Sequence, residues 1–464
     1  MTGTSLRENA PTPRPTPTAP RDYRFPAFER VALPNGLRLV VAPVSKLPLV
    51  SVTAIVDAGA STEREGQHGV AALTAQLLLE GAAGLDGATL IERFEWIGTS
   101  ADAHADWDAA TVSLTVLAER LPEALALVRD LLRAPTFPER EVARLKDERL
   151  AELLQLRAEP RALADEQFAR AVYAPTARYA SPAGGDAPSV RGLTRDLVQR
   201  FYAERYRPGT TTLVFAGDVS VERAAGLAIE LFGDWRGEPT TTSARTVDVS
   251  PPAKLARIVS KADAPQSEIR VGHVGLPRLH PDHFGATVMN AVLGGLFSSR
   301  INLNLREAHG YTYGAFSAFE WRRAAGPFMI QTAVKSDVTG KAVREILYEI
   351  ERMRSEEIGM DELTLATSYL DGVFPIRYET TAAIAMALSN LVIHDLPERF
   401  YDEYRMRVRE VTTQDVLRAA QQHLHLDQLR IVVVGDPAVI AEPLAEVHGA
   451  PFEVVTPDGA EVAA

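Results

Sequence analysis

The 464-residue chain reads as an α+β protein of two similar α/β sandwich domains, each with helices packed on a mainly antiparallel sheet. Three observations predict this. The chain is too long for one ordinary domain. A helix-plus-strand module occurs twice, about half a chain apart. Within each half, strands come first and helices follow.

The repeated module fixes the plan. Residues 194–218 read TRDLVQRFYAERYRPGTTTLVFAGD, and residues 413–436 read TQDVLRAAQQHLHLDQLRIVVVGD. Thr194 and Thr413 stand where helix N-caps belong, each with an aspartate two positions on to meet the positive end of the dipole. An amphipathic helix, a short break and a strand ending in Gly-Asp follow in both. The cores LVFAG and IVVVG are almost wholly apolar, so both faces of these strands should be covered.

The remaining elements follow in order. Residues 1–24 form a Pro- and Thr-rich tail, expected to be extended and partly disordered. The first domain spans 25–236. It opens with strands over 28–57, turning at Asn35-Gly36. Helical patterning covers 68–97, and a strand follows in ADWDAATVSLTVL. Helices run from Leu121 to Leu132 and from about Pro138 to Arg157. Residues 237–255 have linker composition. The second domain, 256–464, opens with strands in ARIVSKA and SEIRVGHVGL and continues with a helix from Asp282.

Composition bounds the chemistry. With 46% apolar and 24% charged residues the chain is globular. A net charge of −12 opposes binding to nucleic acid or anionic lipid. The absence of cysteine excludes disulfides, thiolate nucleophiles and Cys-ligated metals, leaving His, Asp and Glu as metal ligands. No apolar run approaches a membrane span, and the N-terminus has no apolar leader. A cytoplasmic location is therefore expected, or a periplasmic one if a leader was trimmed.

Neither H-E-x-x-H nor H-x-x-E-H occurs. The closest histidine pairings are His280 with His283, around Pro281, and His423 with His425. Proline at a helix start prevents the first from being a helical i,i+4 ligand pair. Both pairs read as exposed side chains. No nucleophile elbow, phosphate loop or dinucleotide fingerprint stands in a fitting context.

Two segments carry a family resemblance. Residues 57–65, DAGASTERE, followed by GVAALTAQLLLEGA at 69–82, resemble the turn and zinc-binding helix of pitrilysin-type (insulinase, inverted-zincin) metallopeptidases. In that family the helix reads like G-L-A-H-F-L-E-H. Aligning the glycines places Ala72 and Gln76 on the zinc histidines and Ala75 on the catalytic glutamate. Positions i, i+3 and i+4 share one helix face, so here the stripe that should grip a metal is Ala, Ala and Gln. Alanine ligates nothing, and a neutral amide is a poor zinc ligand. Glu152 falls near the family's third ligand, but a lone carboxylate does not hold zinc; it reads as a solvated helix residue.

The second segment is intact. Residues 290–314, NAVLGGLFSSRINLNLREAHGYTYG, resemble the family's N-x-x-L-G-G-x-x-S-S-R-L…L-R-E-x-x-G-L-x-Y. Arg306 and Tyr313 fall on its Arg/Tyr pair, which in the family reaches across a closed chamber to bind the substrate carbonyl and the developing oxyanion. Locally, Ser298 should cap a helix through Arg306 that ends at Gly310, with Tyr313 starting a strand. Gly294 and Gly295 are candidate substrate contacts, or simply a tight turn between helices. Asp102 and Ala103 lie in a segment that in active relatives is an edge strand able to pair with an extended peptide.

The resemblance implies a clam-shell half that supplies Arg306 and Tyr313 to the active site of a zinc-bearing paralogous partner. It implies no cofactor in this chain, zinc in the partner, and unfolded peptides as substrates. Some bacterial heterodimers and the mitochondrial processing peptidase are organised in this way. The alternative is a structural or binding role like that of zinc-less core subunits of respiratory complexes.

Overall fold

A computed structural model describes residues 22–237, 255–448 and 452–460. Most of the predicted tail and nearly all of the linker lie outside these residues. Tyr23, inside the predicted tail, packs edge-on against Phe374.

The strands in chain order are β1 (Glu29–Ala32), β2 (Arg38–Pro43), β3 (Leu49–Val56), β4 (Gly81–Ala82), β5 (Leu85–Asp86), β6 (Asp102–Ala105), β7 (Ala110–Leu117) and β8 (Thr211–Gly217). After them come β9 (Leu255–Ser260), β10 (Gln266–Val274), β11 (Ala315–Phe319), β12 (Pro327–Lys335), β13 (Arg430–Gly435) and β14 (Glu453–Val455). They form two six-stranded sheets, β1-β2-β8-β3-β7-β6 and β11-β12-β10-β13-β9-β14, and the small hairpin β4-β5. In the first sheet only β2 and β8 run parallel; in the second, β9 runs parallel to both β13 and β14. The repeated module ends in β8 and β13, each inside its sheet.

Alternation along these strands sorts side chains onto two faces. In the first sheet Leu39, Val41, Leu213 and Phe215 face a core shared with that half's own helices. The other face, with Val40, Ala42, Val214 and Ala216, packs against Ile384, Ala385, Leu388 and Leu391. Those four residues belong to the helix Thr381–Ile393, which comes from the second half of the chain. The second sheet mirrors this. Ile431 and Val433 face its own helices, while Val432 and Val434 pack against Leu163, Ala164 and Phe168. These sit on the helix Pro160–Val172 of the first half. Each half thus covers the far face of the other's sheet, which accounts for two wholly apolar strand cores. Ion pairs pin the exchange: the fully buried Arg270 of β10 meets Asp165 at 2.6 Å, and Arg323 meets Asp57 at 2.6 Å.

Three local expectations change. The helical stretch predicted over 68–97 is interrupted at 81–86 by the β4-β5 hairpin, where Ala83 and Gly84 take positive φ. The second module's helix, Thr413–His423, is capped by Thr412 rather than Thr413. Asp415 must stand three residues after the cap to bond back to its amide, and it does so with Thr412 at 3.0 Å. The Asn35-Gly36 turn is a wider loop in which Asn35 donates to the carbonyls of Phe232 and Trp235.

Candidate functional site

The helix Val70–Leu77 is set by its entry. Gly69 takes φ +97°, and a Cβ there would lie 2.7 Å from the Gly184 carbonyl oxygen. The carboxylate of Glu63, its side chain fully buried, accepts from the Gly69 amide at 3.0 Å and the Ala71 amide at 2.8 Å. Arg178 closes on the same carboxylate at 2.7 Å. A charge at the positive helix end, with every lone pair engaged, is a strong anchor.

Ala72 and Gln76 lie on one side of this helix and line a pocket of about 90 Å³ with Lys146, Arg149, Glu152 and Gly184. The structure therefore brings together three of the four positions read from the sequence: Ala72, Gln76 and Glu152. The fourth, Ala75, is fully buried in the core. Glu152 is solvated, and Arg149 holds it at 3.2 Å while donating to the Gly184 carbonyl at 3.2 Å. Lys146 donates to the Leu193 carbonyl at 2.5 Å. The donor set is one carboxylate already paired with a cation and one amide, with a second cation beside them. That set does not fit zinc, which needs imidazole, thiolate or free carboxylate on most of its positions.

Beside this helix, β6 lies at the sheet's edge. Ala103 turns inward and is buried, while Asp102 is exposed and takes the His104 ring at 2.7 Å.

In the second half, the helix His283–Asn290 passes directly into a π-helical turn, Ala291–Gly295. Asn290 and Ser317 lock this turn to β11, with the Ser317 hydroxyl on Asn290 Oδ1 at 2.7 Å and Asn290 Nδ2 on the Ser317 carbonyl at 3.1 Å. A Cβ on Gly294 would stand 2.4 Å from Ser317 Oγ, and one on Gly295 2.8 Å from Asn290 Nδ2. Close packing is thus a sufficient reason for both glycines. The next helical segment starts at Arg300, with Ser299 in the cap position and no side-chain cap bond, so Ser298 is not the cap. The chain turns through Phe297 and Ser298 first. Arg300 clamps Glu362 bidentately at 2.7 and 2.8 Å. Asn302 ties the loop by donating to the Phe297 carbonyl at 2.6 Å and accepting from the Ala315 amide at 3.1 Å.

Arg306 lies on a second π-helical turn, Leu303–Ala308, which Gly310 ends at φ +65°. Its guanidinium rests 4.4 Å above the ring of Phe297, itself 62% exposed. Tyr313 occupies a bend just before β11 and is 95% exposed. Leu303 and Phe316 are also exposed nearby in sequence. Rigid, buried anchors therefore present an arginine, a phenol and a set of apolar side chains to solvent. The pocket at Ala72 and Gln76 is lined by first-half residues alone, so it does not include Arg306 or Tyr313.

The histidine pairings differ from those read along the sequence. His283 and His423 are buried, not exposed. His280 stacks edge-on against His423 with ring centres 5.1 Å apart, and His273 against His425 at 5.1 Å. No sequence signal announces partners so far apart in the chain. Among the described residues no helix is long and apolar enough to cross a membrane.

Comparison with known proteins places this geometry. Residues 40–181 match the model for insulinase (peptidase family M16), and residues 192–370 match that for the peptidase M16 inactive domain. An uncharacterized zinc protease of Streptomyces coelicolor is 23% identical over 409 residues, covering 87% of this chain and 88% of the relative. A probable mitochondrial-processing peptidase subunit beta of Arabidopsis thaliana is 23% identical over 427 residues, covering 88% and 78%. The crystal structure of a peptidase M16 inactive domain from Pseudomonas fluorescens superposes with a TM-score of 0.83 at 26% identity, covering 88% of this chain and 98% of that one. A protease from Helicobacter pylori shares the fold, with a TM-score of 0.79 at 18% identity and coverage of 89% and 100%.

Proposed function

Because the chain belongs to the insulinase (M16) peptidase family, with both of its domains present, we propose that it is the non-catalytic subunit of a heterodimeric zinc endopeptidase. In this reading a paralogous partner carries the zinc and the general base. This chain supplies Arg306 and Tyr313 to the partner's site, and the complex cleaves unfolded peptides. The Arg306 guanidinium donates to the substrate carbonyl, and the Tyr313 hydroxyl donates to the oxyanion as it develops. A preorganised donor of this kind is worth about 3 kcal/mol in the transition state.

The observation that carries the reading is the presentation of Arg306 and Tyr313 on anchored turns, away from a first-half pocket whose donors do not suit zinc. A cation–π pair open to solvent, with exposed apolar side chains close by in sequence, has the composition of an interface hot spot awaiting a partner. A structural role would also use such a surface, and the two readings part on activity. The test mixes the purified chain with a zinc-bearing paralogue from the same genome and follows cleavage of an unfolded peptide. Activity should appear only in the mixture and should be lost with Arg306→Ala or Tyr313→Phe. Full activity with both variants would leave only the structural role; stoichiometric zinc and cleavage by the chain alone would overturn both readings.

A further inference from the structure

We propose that His280, Asp282 and His423 form a binding site for a divalent transition-metal ion, separate from the first-half helix. Each residue offers one donor atom, and the three atoms lie within 4.8 Å of one another. The set is two imidazoles and one carboxylate. Such donors favour Zn²⁺, Co²⁺, Ni²⁺ or Cu²⁺ over Mg²⁺ or Ca²⁺, which prefer all-oxygen shells.

The scaffold is rigid on two sides. Asp282 stands at the N-cap position of the helix His283–Asn290, and His423 is the last residue of the helix Thr413–His423. His423 Nε2 lies 2.8 Å from Asp282 Oδ2, and His423 is buried. The other carboxylate oxygen, Oδ1, accepts from Arg418 at 2.9 Å. Arg418 also reaches Asp415 at 3.4 Å, so its charge is shared between two carboxylates. An arginine on the free oxygen of a ligating carboxylate orients that ligand without occupying its binding atom. His280, only partly buried, takes the Asp282 amide on Nδ1 at 3.1 Å.

A tetrahedral ion with bonds of about 2.0–2.1 Å spaces its donors roughly 3.4 Å apart. The His423–Asp282 spacing is already shorter than this. Drawing in the third donor requires rotation of His280, the less buried of the two rings, against its contact with the Asp282 amide. Imidazole binds through a lone pair, so His423 must carry its proton on Nδ1, and any proton on Nε2 leaves as the metal enters. The remaining position belongs to water. The ion would tie the start of one helix to the end of the other. Since the helix His283–Asn290 runs straight into the Gly294–Gly295 turn, the same tie would brace the platform beneath Arg306.

The experiment uses tag-free, full-length protein stripped with chelator and titrated with Co²⁺ and then Zn²⁺. One equivalent of Co²⁺ should give a visible d–d absorption that Zn²⁺ displaces, and Zn²⁺ should raise Tm by several degrees. His280→Ala keeps the His423–Asp282 pair but gives up the contact to the Asp282 amide, so it should lower the metal-free Tm only slightly while losing the spectrum and the shift. Glu152→Gln should retain both, which separates this site from the first-half pocket. Absence of a stoichiometric Co²⁺ spectrum, or one unchanged in His280→Ala, would overturn the proposal. Neither outcome bears on the heterodimer reading, which is judged by activity with the partner.

Discussion

The helix at Val70 and the turn at Arg306 are both held by buried polar anchors, but they spend that rigidity on opposite things. Around the first, Glu63 is engaged by two amides and Arg178, yet the face it positions carries Ala72 and Gln76. Around the second, Asn290, Ser317 and Asn302 fix a loop that presents Arg306 and Tyr313 to solvent. One scaffold supports a surface with little chemistry; the other supports donors with nothing yet to act on. Scaffold and reactive side chains are therefore separable quantities, and each can be removed without the other. The largest effect should come from the first scaffold. Glu63→Ala strips the largely buried Arg178 of its carboxylate, leaving it only the carbonyls of Ser181, Pro182 and Ala183, and strips the Gly69 and Ala71 amides of their acceptor, which together cost about 3 kcal/mol of stability. Chemical denaturation measures it. A loss below about 1 kcal/mol, the scale of an exposed pair, would mean that the anchor is ornamental and the contrast false.

The second site should show the reverse pattern. Arg306→Ala should lower the activity of the reconstituted complex by roughly a hundredfold, the equivalent of about 3 kcal/mol. Because the side chain is partly exposed and packs on an exposed ring, stability should stay within about 0.5 kcal/mol. Stopped assays on the complex and thermal melts on the free chain separate the two numbers. A large drop in Tm would make Arg306 part of the scaffold instead.

Acid should load the second half most, where burial holds three histidines well down, and the first half less, through His68. Burial holds His273 down to about 4, so it is neutral in the fold. Its Nδ1 donates to the Val274 carbonyl at 2.7 Å and its Nε2 accepts from the His425 amide at 3.1 Å, an arrangement that a second proton destroys. The unfolded chain takes up that proton near 6.5, so stability is whole above this pH and falls as pH drops from 6.5 towards 4. The loss approaches about 3 kcal/mol at the lower end, at 1.36 kcal/mol per unit. His273→Gln should flatten the fall between pH 7 and pH 5 without abolishing it, because burial depresses His394 as well, to about 4. A wild-type denaturation midpoint that does not move over this range would refute the assignment. The Gly294 turn should be less sensitive. Gly294→Ala forces a methyl against Ser317 and costs about 1–3 kcal/mol, read by denaturation of the free chain.

Much of this was legible in the residues, for reasons that differ by element. LVFAG and IVVVG announced two-sided burial because alternation cannot hide an apolar residue on an exposed face. What covers the far faces was not legible. The helices Thr381–Ile393 and Pro160–Val172 carry ordinary apolar patterns that do not say whose sheet they meet. The break at 81–86 had a signal in the glycines of GAAGLDG, and helical periodicity on either side overrode it. The position of Glu152 beside Ala72 and Gln76 was implied by the family resemblance, which sets a third ligand on a later helix, and not by the residues alone. Arg149 closing on Glu152, and His280 meeting His423, did not follow. Such contacts depend on how helices cross, which sequence spacing leaves free.

The smallest expected effect is the sharpest test of the contrast. Gln76→Ala and Glu152→Gln alter the very positions where a metal-binding helix would carry its chemistry. Both side chains are exposed, and Glu152 is held by one solvated ion pair at 3.2 Å. Pairs of this kind contribute little, so each variant should change stability by no more than about 0.5 kcal/mol. Neither should change the activity of the reconstituted complex, because neither presents a group that substrate needs. Paired assays with Arg306→Ala on one preparation of partner make the comparison direct. If Glu152→Gln lowers activity as far as Arg306→Ala does, the first-half pocket handles substrate after all, and the division between an inert scaffold and an active one has to be abandoned.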